Sequence, residues 1–99
     1  MKVNELQPGH YYVCYNTWKS AVDTTEVHII NFGSAEKTEY DDYNIYGEII
    51  ACYRTGLSID YRCIMIHSAT EFKEITEKQY TEILNKYKEL YSATQKLME

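Results

Sequence analysis

Apolar and polar residues alternate in several short stretches before residue 75, whereas after Thr76 apolar residues recur every three or four positions. The first period is that of β-strands and the second that of an amphipathic helix. Strands are predicted over residues 10–15, 27–32, 43–54 and 57–66, with a short fifth over 71–75, because these stretches are dense in Tyr, Val and Ile. Gln7-Pro8-Gly9 marks a turn before the first strand, since Pro presets one turn angle and Gly accepts the next. Gly33-Ser34 closes the second strand, and residues 34–42 read as a polar, acidic loop. Thr55-Gly56 predicts a hairpin between the two long strands. Residues 16–25, which include Trp18, read as a polar loop.

The helix is expected from Glu77 to Met98, or about 33 Å at ~1.5 Å per residue. Thr76-Glu77-Lys78-Gln79 fits a capping box, in which hydroxyl and glutamine satisfy backbone amides reciprocally. Glu77 and Lys96 suit the two ends of the helix dipole, and Glu82/Lys86 forms a favourable i,i+4 pair. Tyr80, Tyr87 and Thr94 fall seven apart, as do Ile83, Leu90 and Leu97, and Leu84, Tyr91 and Met98. This stripe is broader than a two-position coiled-coil seam. It has to cover one sheet face, and its outer column, Leu84, Tyr91 and Met98, is placed to meet a second copy of the chain.

The expected fold is therefore α+β: one domain spanning residues 1–99, β-rich over 1–75 and helical over 76–98. Its sheet is antiparallel and strongly twisted, with four or five strands, and a small SH3-like barrel is one form such a sheet can take. Strand alternation assigns Tyr11, Val13 and Tyr15, then Tyr43, Ile45, Ile49, Ala51 and Tyr53, and then Leu57, Ile59, Tyr61, Cys63 and Met65 to the core face. Tyr12, Tyr46, Arg54 and Arg62 would then project outward.

Composition narrows the chemistry. The 99 residues carry a net charge of −5, and their ten Lys and Arg are scattered, which disfavours a duplex nucleic-acid footprint. Three cysteines, Cys14, Cys52 and Cys63, form no CxxC pair and sit in apolar runs, as reduced cysteines of a cytoplasmic protein do. No apolar run reaches the length of a membrane span, and no signal-peptide pattern is readable. The bias toward Tyr, Ile, Lys, Glu and Thr is that of AT-rich genomes, which fits a phage or mobile-element accessory protein. No Gly-rich phosphate loop, nucleophile elbow or metal-binding pair is present, so neither catalytic residue, cofactor nor metal is assigned. Cys63/His67 alone has a short spacing, and four-apart spacing suits a helix better than the strand predicted there.

Eleven tyrosines are far above ordinary usage, and this residue combines a large apolar ring with a hydroxyl that needs a partner. Three of them fall where the acids are densest. Residues 36–48 hold five acids against one lysine, a local net charge of −4, interleaved with Tyr40, Tyr43 and Tyr46. Rings supply contact area and carboxylates steer association, so Glu39, Tyr40, Asp41, Asp42, Tyr43 and Tyr46 form the candidate surface for a protein partner with a basic surface. The expected function is a non-enzymatic interaction module, without a cofactor and homo-oligomeric through its helix. The alternative is a nucleotide or single-strand binder that stacks bases on Tyr12 and Tyr46 beside Arg54 and Arg62.

Overall fold

A computed structural model of the chain describes residues 1–15, 27–52 and 58–99. A single 3-10 turn, Val3–Glu5, precedes five strands and one helix: β1 Tyr11–Tyr15, β2 Val27–Lys37, β3 Asp42–Cys52, β4 Ser58–His67, β5 Phe72–Ile75 and α1 Glu77–Lys96. The strands form one antiparallel sheet in the order β4-β3-β2-β1-β5. The α+β class and the C-terminal helix are as expected. The sheet is not closed into a barrel, because β4 and β5 lie at opposite ends of it. The expected loop at 16–25 and the Thr55-Gly56 turn lie outside the described residues.

Local chemistry explains the element ends. His10 N–H donates to the Gln7 carbonyl at 3.1 Å across Pro8-Gly9, and Gly9 has φ +82°, so the turn forms where Pro and Gly prescribe it. At the helix start the Gln79 amide donates to Thr76 Oγ1 at 3.1 Å, and the Thr76 amide donates to Gln79 Oε1 at 2.9 Å. Both halves of the capping box are therefore made. The second strand runs five residues beyond its expected end, to Lys37. Gly33 to Lys37 are exposed, yet each of Ser34 to Lys37 pairs with β3, so cross-strand hydrogen bonding overrides their polar character.

The sheet is apolar on both faces. One face carries Tyr12, Cys14, Ile30, Phe32, Ile45, Ile49, Ile66 and Phe72, closed over by Val3 and Leu6 from the N-terminal turn. The other carries Ile29 and Ile50 with Tyr11, Val13 and Cys52, and receives Tyr80, Ile83 and Leu84 of the helix. Burying each large aliphatic side chain here is worth about 1.5–3 kcal/mol.

Double coverage corrects the expected strand faces. In β1, Tyr12 and Cys14 are the deeply buried pair, Tyr11 and Val13 lie under the helix, and Tyr15 is exposed. In β4, Ile64 and Ile66 pack inward while Cys63 and Met65 are exposed. The cause is a register shift: β3 advances from Tyr46 to Ile49 while β4 moves only from Cys63 to Tyr61. A bulge of this kind re-phases the partner strand. Gly47 sits in it with φ +156°, and Gly33 lies opposite, where β2 shifts register too.

Candidate functional site

The acidic segment forms the far end of the β2–β3 hairpin, beyond the two glycines. Its turn is held by backbone and side chain together. Thr38 N–H donates to the Asp42 carbonyl at 3.1 Å, the Tyr40 amide donates to Thr38 Oγ1 at 3.0 Å, and Thr38 Oγ1 bonds Asp42 Oδ1. Lys37 donates to the Tyr40 carbonyl at 3.2 Å and lies 5.5 Å from the centre of the Tyr43 ring, a cation–π distance. The one lysine of the segment is thus engaged within it.

The six residues of the expected partner surface do not share one role. Tyr40 is 72% exposed and the Asp41 side chain 73% exposed, with Glu39 exposed beside them. Asp42 is only 4% exposed, and its carboxylate is used up inside the turn, so its assignment as a surface contact is corrected to a structural one. Tyr43 is half-buried against the core that holds Ile45 and Ile66. Tyr46 is on the outer side of the hairpin, opposite Cys63. Partial desolvation, with Cys63 and Glu36 nearby, pushes its hydroxyl pKa up, so it remains a hydrogen-bond donor.

Two residues of β4 and the one after it complete the site. Ser68 Oγ donates to Asp41 Oδ1 at 2.5 Å, Ser68 N–H donates to the Asp41 carbonyl at 3.1 Å, and His67 Nε2 stands 3.6 Å from Asp41 Oδ2. The Ala69 amide donates to His67 Nδ1 at 3.0 Å, which leaves the ring proton on Nε2, toward Asp41. The Ser68 hydrogen bond, with the Lys37 charge adding to it, holds the Asp41 carboxyl below its ordinary range. Thr38, Glu39, Tyr40, Asp41, Asp42, Met65 and His67 line an open cleft of about 670 Å³. Met65, His67 and Ser68 were not in the expected surface. Strand pairing brings them there, with His67 opposite Asp42 and Met65 opposite Asn44, and that register is invisible in the sequence.

The base-stacking set loses Tyr12 to the core. Tyr12 is 1% exposed, its hydroxyl accepts the Gln7 N–H at 2.9 Å, and its ring meets Phe32 edge-on at 6.3 Å. Its assignment to a ligand-stacking face is corrected: it belongs to the core. Arg62 is exposed, and Arg54 lies outside the described residues. Of the helix residues assigned to a partner copy, Leu84 packs partly against the sheet, whereas Tyr91 and Met98 are exposed, together with Leu90 and Leu97.

Other chemistry is sparse. Burial pushes the Cys14 thiol up to about 12, so it stays protonated and is no nucleophile at neutral pH. Among the described residues no group of three or more His, Cys, Asp or Glu is arranged to hold a metal ion. No helix among the described residues is long and apolar enough to cross a membrane. No protein-family model matches the chain, and neither a curated protein nor a solved structure matches it.

Proposed function

We propose that the protein is a non-enzymatic interaction module that docks a basic protein surface on the end of its β2–β3 hairpin. The observation that carries this reading is the pairing of Tyr40 and Asp41, both largely exposed, at the rim of an open cleft walled by Met65 and His67. Aromatic area next to desolvatable carboxylates is the composition of an anchoring patch, and exposed negative charge accelerates encounter with a basic partner. The protonated state of Cys14 and the burial of Tyr12 weigh against covalent catalysis and base stacking. Cys14, Cys52 and Cys63 form no disulfide, and Cys63 is exposed, which supports a reducing, cytosolic setting.

The test is capture of partners from native lysate by the wild-type protein and by the double variant Glu39→Lys/Asp41→Lys. Loss of capture with an unchanged thermal midpoint supports the reading. Undiminished capture by the double variant refutes it. Asp42 is left untouched, because its carboxylate holds the turn.

A further inference from the structure

The sheet has two edges, and the chain treats them differently. At the β5 edge, Phe72 N–H donates to the Met1 carbonyl at 2.7 Å and the Met1 amino group donates to the Phe72 carbonyl at 3.0 Å. Lys2 ties the same corner, donating to the Ala69 carbonyl at 2.9 Å and standing 2.7 Å from Glu71. That edge strand is four residues long and already has main-chain partners. The β4 strand is ten residues long, and from Arg62 to His67 it pairs with β3 on one side, with no described strand on the other. Natural sheets guard such edges with lysine, proline or shortness. From Arg62 to His67 the strand has no lysine or proline, its one fixed charge is the exposed Arg62 at the far end from the cleft, and Cys63 and Met65 are exposed.

The open edge runs into the acidic cleft. Met65 and His67, at the C-terminal end of β4, are walls of the same cleft as Glu39, Tyr40 and Asp41. Lys37, the cation of this hairpin end, is engaged by the Tyr40 carbonyl and the Tyr43 ring, and the Asp41 carboxylate, though bonded by Ser68 and beside His67, is still largely exposed, as is Glu39.

We infer that the free edge of β4 accepts an extended, lysine- or arginine-bearing segment of a protein partner as an added sixth strand, with one basic side chain seated in the Glu39–Asp41 cleft. This rests on the reading that the hairpin end is the docking surface, and it adds the form of the partner. Main-chain bonds along Arg62 to His67 supply sequence-independent affinity, and the cleft selects the charge of one alternating side chain. A second copy of this chain fits less well, because each copy brings a net charge of −5 to the acidic cleft at the end of that edge.

The probe is a capped nine-residue peptide of alternating lysine and valine, compared with alternating glutamate and valine, and with lysine peptides N-methylated on one or the other set of alternate amides. Binding is read by fluorescence anisotropy, and amide hydrogen exchange of residues 62–67 is followed with and without peptide. The expected result is saturable binding of the lysine peptide, exchange slowed on alternate β4 amides, and loss of binding on N-methylation of one set. Asp41→Asn with Glu39→Gln is expected to weaken binding about tenfold.

Equal binding of the glutamate peptide, equal binding of both N-methylated peptides, or unaltered exchange in β4 would each overturn the inference. So would protection of the β4 edge in a peptide-free dimer, which would assign the edge to a second copy. If the edge tests fail while Glu39→Lys/Asp41→Lys still abolishes lysate capture, only the added strand is refuted and the docking surface stands. If the double variant also captures normally, both fail.

Discussion

Tyr80 donates its hydroxyl proton to the Glu48 carboxylate at 2.6 Å, joining the first turn of the helix to the strand residue beside the Gly47 bulge. The same ring lies 4.9 Å from Tyr11, so one side chain ties helix, first strand and third strand together. Tyr80→Phe removes the hydrogen bond and keeps the ring. It is expected to cost about 1–2 kcal/mol, because Glu48 loses its donor in a partly buried setting. Tyr80→Ala should cost about 3–5 kcal/mol by removing the ring as well. Urea unfolding of both variants separates the two contributions, and equal losses would contradict the assignment.

Neighbouring aspartates should behave in opposite ways. Asp42 is buried and bonded to Thr38, so Asp42→Ala is expected to destabilise the fold by about 1–3 kcal/mol. Asp41→Asn, at an exposed site, should stay within about 0.5 kcal/mol of wild type. Thermal or urea unfolding decides this, and a costly Asp41→Asn beside a neutral Asp42→Ala would reverse the roles of the two carboxylates.

Gly47→Ala should be among the most damaging substitutions in the chain. A Cβ at this position would stand 2.2 Å from the Asn31 carbonyl oxygen, and the backbone is at φ +156°. Overpacking and backbone strain together are expected to cost on the order of 3–5 kcal/mol. A Gly47→Ala protein that unfolds at the wild-type urea midpoint would rule out the close approach of β2 and β3.

Two exposed carboxyls set the acid response. Asp41 is held below 3.8 chiefly by Ser68, and Glu71 below 4.5 chiefly by Lys2. A carboxyl whose folded pKa is depressed contributes stability above its unfolded pKa and loses it as pH falls through the folded value. Acidification below pH 4.5 should therefore lower the unfolding midpoint. Ser68→Ala should return the Asp41 titration toward 3.8, and Lys2→Met should return that of Glu71 toward 4.5, as read by carboxyl carbon NMR shifts. Unchanged titrations in these variants would refute the named causes.

Along the helix, sensitivity should fall sharply after its second turn. Ile83 and Leu84 pack against the sheet, whereas Leu97 is 83% exposed. Ile83→Ala is expected to cost about 1–3 kcal/mol and Leu97→Ser less than about 0.5 in a monomer. A Leu97→Ser effect that grows with protein concentration in sedimentation would instead assign Leu90, Tyr91, Leu97 and Met98 to a contact between copies.

Legibility in the sequence followed how much each signal depended on distant residues. The helix start with its Thr76–Gln79 cap and the Pro8-Gly9 turn are local patterns and stand in the fold where the residues placed them, while the helix ends at Lys96, two residues short of the expected Met98. Strand faces were harder, since β1 is apolar on both sides. With the helix on one face and Val3 and Leu6 on the other, Tyr11 and Tyr12 are both covered, and alternation cannot rank them. The acidic hairpin was legible as a charged, aromatic segment. That Asp42 turns inward and that His67 and Ser68 join Asp41 depended on the β3–β4 register, which the bulge at Gly47 sets.

The glycine pair at positions 33 and 47 also divides the sheet. On one side lie Phe32 and Ile49; on the other, β2 and β3 continue as an arm in which exposed Ser34 to Lys37 pair with Tyr43 to Tyr46, and only Tyr43 and Ile45 of it reach the main core. Glu39, Tyr40 and Asp41 are exposed at the turn of that arm while Thr38 and Asp42 hold it together, so these three can change without redesigning the interior. The sheet is in that sense a scaffold with an exchangeable tip, whose surface can change while the fold is kept.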